Sequence, residues 1–150
     1  YITGVCVTMM QMPFLKPGDE KRYLVEHGVR PLNHRVAVYK YLLENPIHPT
    51  ADDIYGDLKK HMASISRTTV YNVLNLLCDQ GVVKRIAIEK NEMRYDANIS
   101  NHMHFKCIDC GKVYDLHTVS FPEVSIPDGF TMHEVQVNIS GNCPACDAIA

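Results

Sequence analysis

Two cysteine pairs are the residues of this chain whose type and spacing best suit metal binding. They form two CxxC motifs, Cys107 with Cys110 and Cys143 with Cys146. Four thiolates in this pattern are typical of a structural zinc site with tetrahedral coordination. The apolar first segment, residues 1–12, lacks the basic region of a signal peptide, so we expect a reducing, cytoplasmic location. There, paired cysteines bind metal rather than form disulfides. We predict that these four cysteines hold one zinc ion.

Two histidines precede the first CxxC motif in the stretch HMHFKCIDCG. On a β-strand, residues i and i+2 point to the same face, so His102 and His104 could both reach one ion. His48, Asp96 and Asp115 are further candidate ligands, and mixed nitrogen and oxygen ligands suit Fe(II), Mn(II) or Zn(II). Two alternatives stay open: an edge strand that carries two surface histidines, and a Cys/His zinc site that uses one of them.

Composition and charge limit the class of protein. The chain is 46% apolar and 21% charged, as in ordinary globular proteins. No apolar run reaches the roughly 18 residues of a membrane span. Residues 1–95 carry 13 Lys and Arg against 10 Asp and Glu, whereas residues 96–150 carry 2 against 7. The basic first part could meet a polyanion, and the acidic second part suits cations or a partner subunit.

The first part of the chain predicts helices followed by a β-hairpin. Asn33, Thr50 and Ser66 are suitable N-caps, and Gly28 and Gly81 are suitable helix ends. Residues 82–96 contain two β-rich runs around a polar turn, which indicates a hairpin. Three helices with a tight helix-turn-helix and a following hairpin describe a winged helix. A winged helix that contacts protein instead of DNA is the alternative.

The helix after Ser66 has two different sides. Its apolar residues repeat at helical spacing and predict a side that faces the core: Val70, Val73, Leu74 and Leu77. The other side offers hydrogen-bonding groups that could reach base edges in a major groove: Arg67, Thr68, Tyr71 and Asn72. Basic residues expected to contact phosphates are Arg67, Lys84, Arg85, Lys90 and Arg94.

Five motifs, in order, resemble the ferric uptake regulator (Fur) superfamily, and within it the PerR-like subfamily of peroxide sensors. They are HPTADDIY, SRTTVYNVLNLLCDQGVV, RYD, HMHFKCIDCGKVYDLH and CPAC, and the resemblance runs from about Glu20 to Cys146. It implies an α+β fold, with a winged helix-turn-helix DNA-binding domain over 1–95. A small α/β dimerisation domain with a four-cysteine zinc site would follow over 96–150. It also implies a homodimer that binds a palindromic operator in double-stranded DNA as a metal-dependent repressor.

The resemblance also implies the ligands of each metal. The four cysteines would hold the structural zinc, and a regulatory Fe(II) or Mn(II), with Zn(II) as an alternative, would be held by His48, Asp96, His102, His104 and Asp115. Asp at position 115 is typical of PerR-like proteins, whereas many iron-uptake regulators have Glu. In PerR-like proteins, Fe(II) reacts with peroxide and a ligand histidine is oxidised; by the matching motif that residue is His48 or His102. The alternative is an iron- or zinc-uptake regulator without peroxide chemistry.

Some positions depart from the family pattern. Asn101, Met103 and Pro122 stand where many iron-uptake regulators have further ligands, so His133 would belong to an incomplete extra site. The stretch FPEVSIPDG leaves room for about two turns of helix in the dimerisation domain. No dedicated general base or substrate pocket is evident, so we expect no enzyme, no membrane partner and no small-molecule substrate beyond metal and peroxide.

Overall fold

A computed structural model describes residues 15–16, 18–88, 92–116 and 123–147. Among these residues the chain divides into two compact units, 15–100 and 101–147. The domain limits drawn from the sequence, 1–95 and 96–150, stay a prediction. Within the described ranges, no helix is both long enough and apolar enough to cross a membrane.

The first unit consists of four helices and a β-hairpin. The helices are α1 (Glu20–Glu26), α2 (Asn33–Glu44), α3 (Ala51–Leu58) and α4 (Arg67–Asp79), and the strands are β1 (Lys84–Ile86) and β2 (Arg94–Asp96). The strands pair antiparallel, with Lys84 opposite Asp96. This order of elements confirms the predicted winged helix.

Side-chain caps start the two helices of the helix-turn-helix. The Thr50 hydroxyl accepts from the Asp53 amide, and the Asp53 carboxylate accepts from the Thr50 amide, which completes a capping box. The Ser66 hydroxyl accepts from the Thr69 amide at 3.0 Å. Both caps were predicted from the sequence, and each provides a partner for amides that the first helical turn leaves unpaired.

Helix α2 starts differently from the prediction. Asn33 is already helical, and Leu32 occupies the N-cap position without a side-chain hydrogen bond. The amides of Arg35 and Val36 both donate to the Leu32 carbonyl, so the backbone alone closes this turn. The prediction of Asn33 as an N-cap is therefore wrong.

One hydrophobic core holds the first unit together. The predicted apolar side of α4 lies in it, with every residue at most 3% exposed: Val70, Val73, Leu74 and Leu77. At the end of α4, Gly81 has a φ of +67°, and the Val82 amide donates to the Leu77 carbonyl at 2.8 Å. A glycine in the left-handed region ends the helix here, as expected.

The second unit is a three-stranded sheet with a short helix. Its elements are β3 (Met103–Cys107), β4 (Val113–Leu116), β5 (Asn138–Gly141) and α5 (Pro144–Asp147). The strand order is β4-β3-β5; β3 runs antiparallel to β4 and parallel to β5. Its buried apolar side chains among the described residues are few: Met103, Cys107, Val113 and Cys143.

Part of the predicted dimerisation helix lies in described residues and is not helical. Residues 123–127 have no regular structure, and residues 128–129 form a turn. Pro127 disfavours helical geometry in the residue before it, and Gly129 has a φ of +85°, so neither supports a helix. The expectation of two helical turns is wrong for this segment, while Pro122 lies outside the described residues.

Candidate metal centres and DNA-binding face

Strand pairing brings the two CxxC motifs together. Cys107 ends β3 opposite Gly141 at the end of β5, and the Ile108 amide donates to the Gly141 carbonyl at 2.8 Å. Cys143 lies two residues after the end of β5, and Cys146 lies in α5. The two motifs are therefore brought to the same end of the sheet by neighbouring parallel strands.

The four sulfur atoms are spaced as a tetrahedral metal site requires. All lie within 4.8 Å of one another, and the Cys110 and Cys143 sulfurs are 3.9 Å apart. Zinc–sulfur bonds of about 2.3 Å in a tetrahedron place the sulfurs about 3.8 Å apart. A disulfide would need about 2.05 Å, and every described cysteine is free. The cluster thus fits a structural zinc ion.

The surroundings of two cysteines in the cluster favour thiolates, the form that binds metal. The backbone amides of Cys110 and Cys143 donate to the Cys107 sulfur and lower the pKa of its thiol to about 6. The Tyr114 hydroxyl bonds the Cys143 sulfur and lowers the pKa of that thiol. Cys146 shows the opposite effect, because its hydrogen bond with Cys143 raises the pKa of its thiol to about 12; metal binding there would have to displace a proton. Tyr114 was not identified from the sequence, because nothing local marks its contact with Cys143.

A second group of candidate metal ligands lies on β3, on β4 and at the residue directly before β3. His104 pairs directly opposite Asp115, and its Nε2 lies 3.7 Å from Asp115 Oδ1. His102 Nε2 lies 3.2 Å from the same oxygen, and the two imidazole rings are 4.5 Å apart. Both histidines are buried, and Asp115 is partly buried. Two imidazoles and one carboxylate on one face form a His/Asp site suited to Fe(II), Mn(II) or Zn(II).

His48 and Asp96 form a similar pair within the first unit. His48 Nε2 lies 3.7 Å from Asp96 Oδ2, and both side chains are buried. The Asn98 amide donates to the other carboxylate oxygen, Oδ1, at 2.8 Å, which orients the carboxylate. The sequence identified both residues as candidate ligands, and their pairing depends on the fold.

The backbone of His48 is in an uncommon conformation. Its φ of +54° lies in the left-handed region, where a non-glycine residue costs about 1–3 kcal/mol. Arg94 Nη1 donates to the His48 carbonyl at 3.1 Å, and the Tyr95 amide donates to the Pro49 carbonyl at 3.0 Å. The hairpin therefore holds this turn in place. Sequence patterns alone give no signal for these contacts.

The predicted DNA-binding side of α4 is exposed. Arg67, Thr68, Tyr71 and Asn72 all face solvent, opposite the side that lies in the core. An exposed helix side with an arginine, a hydroxyl, a phenol and an amide can donate to and accept from base edges. The assignment of these residues to DNA stays a prediction.

The basic residues expected at phosphates differ in their surroundings. Lys84 Nζ donates to the Ser100 carbonyl at 2.9 Å, and Arg85 Nη2 donates to Asn75 Oδ1 at 3.1 Å. The Arg94 side chain is only 17% exposed and supports the His48 turn, so a structural role suits it better. Lys90 lies outside the described residues.

Comparison with known proteins gives one consistent result. The model of the ferric uptake regulator family matches residues 26–140. The peroxide-responsive repressor PerR of Staphylococcus epidermidis is 36% identical over 124 residues, covering 79% of this chain and 82% of that protein. The peroxide operon regulator of Bacillus subtilis is 36% identical over 127 residues, covering 82% and 88%.

A solved structure agrees on the fold. The ferric uptake regulator from Francisella tularensis, solved with iron, has a TM-score of 0.64 and 23% identity. The similarity covers 80% of this chain and 96% of that one. The matched family and relatives are transcription regulators, which confirms the expectation of a regulator rather than a metalloenzyme.

Proposed function

The chain belongs to the ferric uptake regulator family, and we propose that it is a metal-dependent repressor that releases DNA in response to peroxide. The observation that carries this proposal is the group formed by the buried His102 and His104 with the partly buried Asp115. These side chains offer nitrogen and oxygen ligands separate from the four-cysteine cluster. Relatives at 36% identity named as peroxide-responsive support the choice of signal.

The regulatory metal would be held by His48, Asp96, His102, His104 and Asp115 together. Each of the two groups offers imidazole nitrogens and a carboxylate as ligands. The resemblance to the family assigns all five residues to one ion. His48 and Asp96 belong to the first unit, and the other three ligands belong to the second. Binding by all five would restrict motion between the units, and so favour one spacing of the α4 helices in a homodimer on a palindromic operator.

Peroxide would act on the ligands themselves. Fe(II) held by these ligands would activate peroxide for attack on a ligand imidazole. We propose that one peroxide oxygen is added to the ring of His48 or His102 and that the other leaves as water. The two residues present buried imidazoles next to carboxylates. An oxidised imidazole is a poorer ligand, so the metal-bound form would lose stability and DNA would be released. We expect such a regulator in the cytoplasm, where its DNA is.

The test measures DNA binding and, in the same samples, the mass of the peptides that contain His48 and His102. The probe is a duplex that the Mn(II)-loaded protein selects from a randomised library. We expect binding that requires Mn(II) or Fe(II), loss of binding after peroxide only in the Fe(II) sample, and one added oxygen in the His48 or His102 peptide. His104→Ala should lose metal-dependent binding while it retains zinc. His133→Ala, the same change at an exposed histidine, should bind normally.

Two other outcomes would redirect the assignment. Metal-dependent binding that is indifferent to peroxide would favour a regulator of iron or zinc uptake. Release of DNA by peroxide with both histidines unmodified would exclude histidine oxidation as the mechanism.

A further inference from the structure

Arg67, the first residue of α4, is held by two side chains of α3. Its Nη1 donates to Asp52 Oδ1, and its guanidinium carbon lies 5.1 Å from the centre of the Tyr55 ring. Asp52 and Tyr55 lie on the helix that precedes the tight turn of the helix-turn-helix. The exposed arginine at the start of the expected recognition helix is therefore oriented before any DNA arrives.

These two contacts fix the orientation of the guanidinium. A carboxylate on one corner and an aromatic ring on one face restrict a side chain that otherwise has many rotamers. An exposed ion pair contributes little to stability, so its main effect is on where Arg67 points. Among the described residues, the polar contact of the Arg67 side chain is with Asp52. The edge that carries Nε and Nη2 is left available.

The available edge suits a base better than a phosphate. Its two parallel N–H donors match the O6 and N7 acceptors of guanine in the major groove. A phosphate at the same place would lie near the Asp52 carboxylate, and repulsion between like charges would oppose it. A base edge carries no net charge and avoids this cost.

We propose that Asp52 positions Arg67 to read a guanine, which makes Asp52 a specificity-determining residue that does not itself need to contact DNA. The inference rests on the proposed DNA binding. Arg67 would contact a base. Asp52 would contribute to recognition although its negative charge repels the DNA backbone. Loss of Asp52 should therefore lower the preference for the selected duplex and not raise it.

The experiment uses the whole 150-residue chain, loaded with Mn(II), and the duplex that the wild type selects from a randomised library. Asp52→Asn keeps the size of the side chain and removes its charge. We expect the ratio of affinities for the selected and a scrambled duplex to fall by about fivefold or more, within the range of one bidentate base contact. Replacing a selected guanine with 7-deazaguanine removes N7. When this change is made at one position in each half-site, the affinity of the wild type for the duplex should fall by at least about fivefold. The affinity of Asp52→Asn should fall much less.

Two further variants separate orientation from charge. Asp57→Asn removes the same charge from the same helix, where Asp57 pairs with Lys60 at 2.6 Å, and should keep the wild-type ratio. Arg67→Lys keeps the positive charge without the planar pair of donors and should lose the same guanine preference as Asp52→Asn. Circular dichroism checks that each variant is folded.

The outcomes distinguish this inference from the proposed function. A wild-type protein that selects no sequence overturns both. Selection by the wild type, with an unchanged ratio in Asp52→Asn or a retained guanine preference in Arg67→Lys, overturns the inference alone.

Discussion

His104 and Cys107 lie three residues apart on one strand and belong to two different groups of candidate metal ligands. Residues separated by three positions point to opposite faces of a strand. His104 faces Asp115 across the β3–β4 pair, and Cys107 accepts from the Cys143 amide at 3.3 Å. The sequence left open a Cys/His zinc site using one of the histidines. The structure favours two separate groups of ligands.

Replacing Cys107 with Ala should remove the zinc ion. One of the four thiolates would be lost, and the Cys107 thiol is the one whose pKa is lowered to about 6 by backbone donors. We expect metal analysis to give about one zinc per chain in the wild type and almost none in the variant, because structural sites need four ligands.

A matched cysteine variant provides the control for this change. Cys78 is partly buried in the first unit, outside the cluster. Cys78→Ala should retain the full zinc content. Stoichiometric zinc in Cys107→Ala would contradict a site that depends on all four thiolates.

Local capping determines how well the helices of the first unit form. Thr50 and Ser66 each provide a hydroxyl to an amide three residues later, whereas α2 starts without a side-chain cap. A cap is a short-range interaction, so we expect its loss to lower the stability of the first unit and to leave metal binding unchanged.

Replacing Ser66 with Ala should lower the stability of the first unit. The Thr69 amide would lose its 3.0 Å bond with the hydroxyl, and losing a cap costs about 1 kcal/mol. Thermal unfolding followed by circular dichroism should show a midpoint lower by roughly 4–8 °C for a unit of this size.

The matched control is the change to alanine at Asn33, which the sequence predicted as an N-cap and which does not cap α2. Asn33 makes no capping bond in α2, so Asn33→Ala should change the midpoint by much less. Equal losses in both variants would show that the side-chain cap at Ser66 does not decide the stability of α4.

At the scale of the molecule, the two units are stabilised in different ways. The first has a core of many large apolar side chains drawn from its four helices and the hairpin. The second buries few apolar side chains among its described residues, and two of these are zinc-site cysteines. A small sheet with so little core needs a metal or a partner to remain folded.

Removal of zinc should therefore unfold the second unit selectively. After treatment with a strong chelator, hydrogen exchange should lose protection in β3, β4 and β5, because binding of a structural metal contributes directly to folding. Protection in α2 and α4 should persist, since their core contains no metal ligand. Equal loss of protection in both units would contradict this division, and full protection of β3 would show that zinc is not needed.

Much of this protein follows from its sequence because the signals are local. The spacing of Cys107 and Cys110, the cap residues Thr50 and Ser66, and the apolar repeat of α4 all depend on neighbours within a few positions. Local signals mislead at Asn33, because the backbone closes that turn, and over residues 123–129, because proline and glycine oppose a helix there. The family resemblance contributed the full ligand set, which local patterns could only suggest.

Only the tertiary structure decided which distant side chains meet. The β3–β4 register sets His104 opposite Asp115, and a shift of one residue would turn each side chain to the other face. The left-handed turn at His48 depends on Arg94, far along the chain, and the orientation of Arg67 depends on Asp52 in another helix. Residue types and spacings therefore determined which chemistry is available. Long-range packing determined which atoms are close enough to perform it, because such contacts leave no periodic pattern in the sequence.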